Sequence, residues 1–139
     1  MTRDKSIAPD DIVVMGFSVG SGASCFIAEQ HPEINSLVLI APFASAIEVI
    51  LPFPLPGNRF NNRKRQQNSA VPLLIFHGSA DSVIPLRNSL TLYQTTGGRK
   101  KLIVVKNADH NNIHDFLGAG FYRILSDFTT IQQPDKIIK

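Results

Sequence analysis

Three short segments carry side chains that could do chemistry together. The first is Gly16-Phe17-Ser18-Val19-Gly20, a Gly-x-Ser-x-Gly pattern set between the apolar run "IVVM" and the small-residue stretch "SGASC". Such a pattern puts a serine on a sharp turn from strand to helix, where glycines on either side relieve backbone crowding. The turn points the Ser18 hydroxyl outward and leaves the Val19 amide at a helix N-terminus, where it can stabilise an oxyanion. The second segment is "FHGSADSVIP", residues 76–85, in which Asp81 lies just beyond an apolar run. The third is "KNADHNNIHDF", residues 106–116, which offers His110. A serine, an acid and a histidine in this set can perform acyl transfer. The histidine takes the serine proton as the hydroxyl attacks a carbonyl, and the carboxylate holds the useful tautomer of the ring.

Each residue also has a plainer reading. Asp81 could cap the turn that follows it, and His77, at the tip of its apolar run, reads as structural. His114 is the rival base, four residues after His110, and reads as an exposed helical histidine. Other chemistries fit less well. A dinucleotide fingerprint fails because Ser18 occupies its second glycine position, and counting from Gly20 puts Cys25 at the third. A P-loop would need Gly-Lys-Ser/Thr, which is absent. His110 and His114 have the spacing of a zinc pair, but "HNNIH" lacks the glutamate of a metalloprotease helix, so no metal and no other cofactor is expected.

The elements that must position these groups are legible as four apolar runs: residues 12–17, 36–41, 72–78 and 101–107. They are continuous rather than alternating, as strands buried on both faces of a parallel sheet are. Helices are expected over residues 18–30 and 85–96, the second opening at Pro85 and ending at Gly97-Gly98. A last helix is expected over about residues 114–132, with Phe121, Ile124, Leu125 and Phe128 on one face. Gly118 and Gly120 weaken its first turns. Strands alternating with helices predict an α/β fold, a mostly parallel, doubly wound sheet of about four strands with flanking helices. In such sheets reactive groups gather at the carboxyl ends of the strands, where all three segments lie. Between the second and third strands, residues 45–70 form a long connection with Pro52, Pro54 and Pro56, which forbid a central strand or a continuous helix there. It reads as a lid-like insertion whose apolar half, residues 50–60, would suit an apolar substrate, or as a surface excursion.

At 139 residues the chain is one domain's worth. Its 43% hydrophobic and 18% charged residues exclude a disordered chain. The net charge of +3 comes largely from "RFNNRKR" (residues 59–65) and "RKK" (residues 99–101), which read as solvated faces. Nucleic-acid binding would need a larger basic face with stacking aromatics, and is not expected. No stretch approaches the ~20 apolar residues of a membrane span. One cysteine, Cys25, excludes an internal disulfide framework, and with no secretory leader in "MTRDKSIAPDD" a cytoplasmic location is expected.

In combination these motifs resemble the α/β-hydrolases, most closely the branch of serine-aminopeptidase-like hydrolases and protein depalmitoylases. The residues that carry the likeness are "GFSVGSG", "APFAS" (residues 41–45), "RFNN" (residues 59–62), "PLLIFHGSADSVIP" (residues 72–85) and "ADHNNI" (residues 108–113). The likeness runs over about residues 7–128. The resemblance implies a serine hydrolase of acyl esters, thioesters or amides, acting on a small-molecule or acylated substrate. Ser18 would be the nucleophile, Asp81 the acid and His110 the base, with the Val19 amide one oxyanion donor. It also implies that residues 1–139 correspond to a single, partial domain. The family sheet usually has eight strands with the serine turn after the fifth, whereas here that turn follows the first recognisable strand. The chain thus resembles the C-terminal half of the family fold. An alternative expectation follows: a truncated, catalytically impaired hydrolase that needs a partner chain or a missing N-terminal half. In the family's strand order the first strand here would be an exposed hydrophobic edge, open to self-association. The loop that supplies a second oxyanion donor would be lacking.

Overall fold

Runs rich in leucine and β-branched residues form the strands, and the short polar stretches after them turn the chain into helices. The computed structural model describes residues 7–45 and 61–130. After a 3₁₀ turn at Pro9–Asp11 the order is β1 (Val13–Phe17), α1 (Gly20–Gln30), β2 (Ser36–Ile40), α2 (Asn62–Gln67) and β3 (Leu73–Gly78). It continues with α3 (Arg87–Thr95), β4 (Lys100–Val105), α4 (Ile113–Leu117) and α5 (Ala119–Thr130). The four strands make one parallel sheet in the order β1-β2-β3-β4. The expected architecture is therefore the observed one.

Alternate residues of the two central strands feed two separate cores. Leu37, Leu39, Leu73 and Ile75 pack with Cys25 and Ala28 of α1 and Leu92 of α3. Val38, Ile40, Leu74 and Phe76 pack on the opposite face with Ile113 of α4 and with Phe121 and Phe128 of α5. Helices on both faces are what make the sheet doubly wound. β2 and β3 are buried throughout, whereas β1 and β4 are partly exposed because each pairs on one side only among the described residues. The uniform apolar runs gave no hint of that difference. On β1 the exposed side chains include Met15 at 43% and Phe17 at 46%.

Three local expectations need correction. The last helix is not continuous: α4 ends at Gly118, whose φ of 48° and ψ of −130° no helix can hold, and α5 starts afresh at Ala119. The Gly118 amide donates to the His114 carbonyl at 2.8 Å, closing α4. The expected apolar face nonetheless survives, with Ile124 and Leu125 packed beside Phe121 and Phe128. Second, the long connection contains α2, capped by Asn61, whose side chain accepts from the Lys64 amide at 3.0 Å. Of the lid-like stretch, residues 46–60 lie outside the described residues. Third, Gly20 does not relieve crowding, since a Cβ there would meet nothing within 4 Å. Gly16 is the crowded one: its Cβ would run into the Ser24 side chain and approach the Gly20 carbonyl oxygen to 2.8 Å.

Candidate active site

Ser18 stands between the end of β1 and the start of α1 with φ at 51°, a conformation that L-residues other than Asn and Asp seldom adopt. The turn is held from several sides. The Ser18 amide donates to the Ile40 carbonyl at 2.9 Å, tying it to the end of β2. Behind it, the Ser21 hydroxyl donates to the Ser18 carbonyl at 2.6 Å. The fully buried Asn62 donates to Ser21 Oγ at 3.3 Å and to the Phe43 carbonyl at 2.9 Å. So α2, reached through the long connection, braces the turn. Val19 is 80% exposed, and among the described residues its amide donates to no acceptor.

The second group arrives from the loop after β3. Asp81 Oδ1 accepts from the amides of Val83 at 2.9 Å and Ile84 at 2.8 Å, a turn cap of the kind its plainer reading supposed. The other oxygen, Oδ2, is 2.8 Å from His110 Nδ1. The capping and bridging readings therefore coexist on one carboxylate. The loop after β4 delivers His110 to this point. Gly78 lets the two loops touch, since a Cβ there would strike the Ala108 carbonyl. Ala80 donates to that carbonyl at 2.9 Å, and Ser79 Oγ accepts from the Asn107 amide at 2.9 Å.

His110 Nε2 lies 2.9 Å from Ser18 Oγ. The structure thus brings Ser18, His110 and Asp81 into one hydrogen-bonded chain and leaves His114 outside it. A carboxylate only accepts, so His110 Nδ1 carries the proton that faces Asp81. In the neutral ring Nε2 then accepts from the Ser18 hydroxyl, the polarity that proton removal from a serine requires. Both Asp81 and His110 are at 8% exposure, which keeps water from competing for these bonds. His114 is exposed, with its ring 4.1 Å from that of Phe121.

Beside His110 opens an apolar cleft of about 330 Å³, walled by Met15, Phe17, Ile40 and Ile113 and reaching His114. The Phe17 ring packs on the His110 imidazole at 5.2 Å between centroids. Sequence reasoning did not find this cleft, because its walls come from three separate elements, β1, β2 and α4. It also missed Asn62 and Ser21, whose roles arise only when α2 folds back on the turn. Among the described residues no cluster of His, Cys, Asp or Glu could hold a metal ion, and no helix is long and apolar enough to cross a membrane. Cys25 is buried, and burial pushes its thiol up to about 12, so it takes no part in nucleophilic chemistry at neutral pH.

The sequence profile of the family described as Serine hydrolase (FSH1) matches residues 10–114, a span holding Ser18, Asp81 and His110. A putative α/β hydrolase, L404, of Acanthamoeba polyphaga mimivirus is 24% identical over 118 residues, covering 83% of this chain and 45% of the viral protein. The human α/β hydrolase domain-containing protein 17C is 24% identical over 132 residues, 93% of this chain and 39% of that protein. The chain therefore spans less than half the length of either relative. Among solved structures, the esterase domain of a Rhodothermus marinus protein superposes with a TM-score of 0.70 at 22% identity, over 84% of this chain and 58% of that one. That likeness carries the fold, an α/β-hydrolase sheet.

Proposed function

The chain belongs to the serine hydrolase (FSH1) family, and on that premise we propose that it hydrolyses acyl esters, thioesters or amides with Ser18, His110 and Asp81 as its catalytic residues. The observation that carries the reading is the hydrogen-bonded chain from Ser18 Oγ to His110 Nε2 at 2.9 Å and from His110 Nδ1 to Asp81 Oδ2 at 2.8 Å. In this mechanism Ser18 Oγ attacks the acyl carbonyl while His110 Nε2 takes its proton. Asp81 stabilises the imidazolium that results. The Val19 amide at the start of α1 donates to the carbonyl oxygen as negative charge develops there. His110 then protonates the leaving group, and water deacylates Ser18 through the same base. The apolar cleft beside His110 supports a substrate with a hydrocarbon group next to the scissile bond.

A second reading has its own support. The exposed apolar residues of β1 and the short span relative to the relatives fit a chain whose catalytic groups are incomplete without further protein. On this reading one oxyanion donor is lacking, which would lower the rate by roughly 10²–10³. Hydrolysis of p-nitrophenyl acetate and butyrate separates the two. The hydrolase reading expects turnover that Ser18→Ala and His110→Ala each reduce to the solvent background. Turnover that persists in Ser18→Ala would overturn it, and folded protein with no turnover at all would favour the impaired chain.

A further inference from the structure

His77, at the end of β3, is fully buried and meets polar groups on both ring nitrogens. Nδ1 is 2.6 Å from Ser89 Oγ on α3. Nε2 is 2.8 Å from the Ile84 carbonyl and 3.3 Å from Asp81 Oδ2. A carbonyl can only accept, so the proton of the neutral ring sits on Nε2. Nδ1 must then accept, and the Ser89 hydroxyl must donate to it. Burial lowers the basicity of this ring from the usual imidazole range, more than the Ile84 carbonyl and Asp81 raise it. The 3.3 Å approach to Asp81 is therefore that of a neutral ring, and is no ion pair.

The consequence for Asp81 is geometric. Its Oδ1 is occupied by the Val83 and Ile84 amides, and Ile84 is in turn held through its carbonyl by His77. Nε2 itself, its hydrogen directed to the Ile84 carbonyl, lies 3.3 Å from Oδ2, the oxygen that faces His110. Rotating the carboxylate would break contacts at both of its oxygens. We propose that His77 is a positioning residue for the acid, an imidazole whose Nε2–H holds the Ile84 carbonyl and with it the Asp81 turn, the carbonyl fixing its tautomer and the Ser89 hydroxyl donating to Nδ1. The proposal rests on the catalytic reading of Ser18, His110 and Asp81, and assigns a function to a histidine whose spacing marks it only as structural. It touches neither substrate nor Ser18.

Three variants test it: His77→Leu, which removes the polar contacts of both ring nitrogens; His77→Gln, which keeps a donor near the Nε2 position; and Ser89→Ala, which removes the donor to Nδ1. Each is first matched to wild type by near-ultraviolet circular dichroism. Two readings are then taken: the rate of p-nitrophenyl ester turnover, and the low-field proton resonance of the His110 Nδ1–H held against Asp81. His77→Leu is expected to lower kcat roughly ten- to a hundredfold through misplaced Asp81, with KM within about twofold. It is also expected to broaden the resonance by opening the bond to exchange. His77→Gln should restore most of both, and Ser89→Ala should fall between. A folded His77→Leu with wild-type kcat and a sharp resonance overturns the proposal, as does a His77→Gln no better than His77→Leu. Absence of the resonance from wild type overturns it too. If wild type shows no Ser18-dependent turnover, the hydrolase reading fails, and the resonance alone decides whether His77 positions Asp81.

Discussion

Ser18, Ala41 and Asn107 are the described residues other than glycine with positive φ, at 51°, 46° and 63°. They follow β1, β2 and β4 respectively, so strained backbone collects at the carboxyl ends of the strands. Each such residue costs of order 1–3 kcal/mol and persists where its surroundings over-determine it. At Ser18 those surroundings are the bonds to Ile40 and Ser21. The strain thus has a use, since it lifts the hydroxyl toward His110. His77 shows the opposite economy, a buried polar ring with every polar contact met. Its depressed basicity has a measurable consequence. The unfolded chain takes up a proton near the ordinary imidazole value of about 6.5, and the folded chain resists it to lower pH. The stability contributed by a neutral His77 is therefore complete above about pH 6.5 and is lost as pH falls below that value. Asp81 and His110 are the titratable groups that face it. Urea midpoints measured from about pH 7.5 down to 5.5 should fall more steeply for wild type than for His77→Gln. Equal slopes would contradict a buried neutral ring.

At the scale of elements, the junction between β1 and α1 depends on Gly16. An added methyl there would press on Ser24 and on the Gly20 carbonyl, prising the helix from the strand and moving Ser18 with it. Gly16→Ala is expected to lower stability by about 1–3 kcal/mol and to reduce ester turnover, whereas Gly20→Ala should leave stability nearly unchanged. Chemical denaturation of the two variants checks the contrast, which equal losses would refute. The pattern of legibility follows the same logic. Strands β2 and β3 were readable because burial on both faces leaves an uninterrupted apolar run. The meeting of Ser18, Asp81 and His110 was readable because a parallel sheet collects the loops after its strands at one edge. The break at Gly118 was visible only as a weakness, since one glycine can sit in a helix or end it. Helix α2 was not visible at all. Its sequence, NRKRQQ, is polar throughout and shows no apolar stripe, and its two buried residues are Asn62 and Gln66. The bracing of the Ser18 turn by Asn62 went unread for the same reason.

For the whole molecule, the sheet has two unlike sides. β1 offers backbone and the side chains of Val13, Met15 and Phe17 at an edge that pairs with β2 alone among the described residues. Such an edge is a template for a further strand. The 139-residue chain is accordingly expected to self-associate through β1, and Met15→Lys, which places a charge on that edge, should shift sedimentation toward monomer. A wild type that stays monomeric at high concentration would argue against pairing there. The central claim, however, concerns Ser18. A fluorophosphonate probe phosphonylates a serine only where a base and an oxyanion site activate it, and so reads the proposed site without a choice of substrate. Folded wild-type chain should be labelled at Ser18, with labelling abolished in Ser18→Ala and strongly reduced in His110→Ala. Labelling that survives Ser18→Ala, or folded wild type that takes up no probe, would contradict the account.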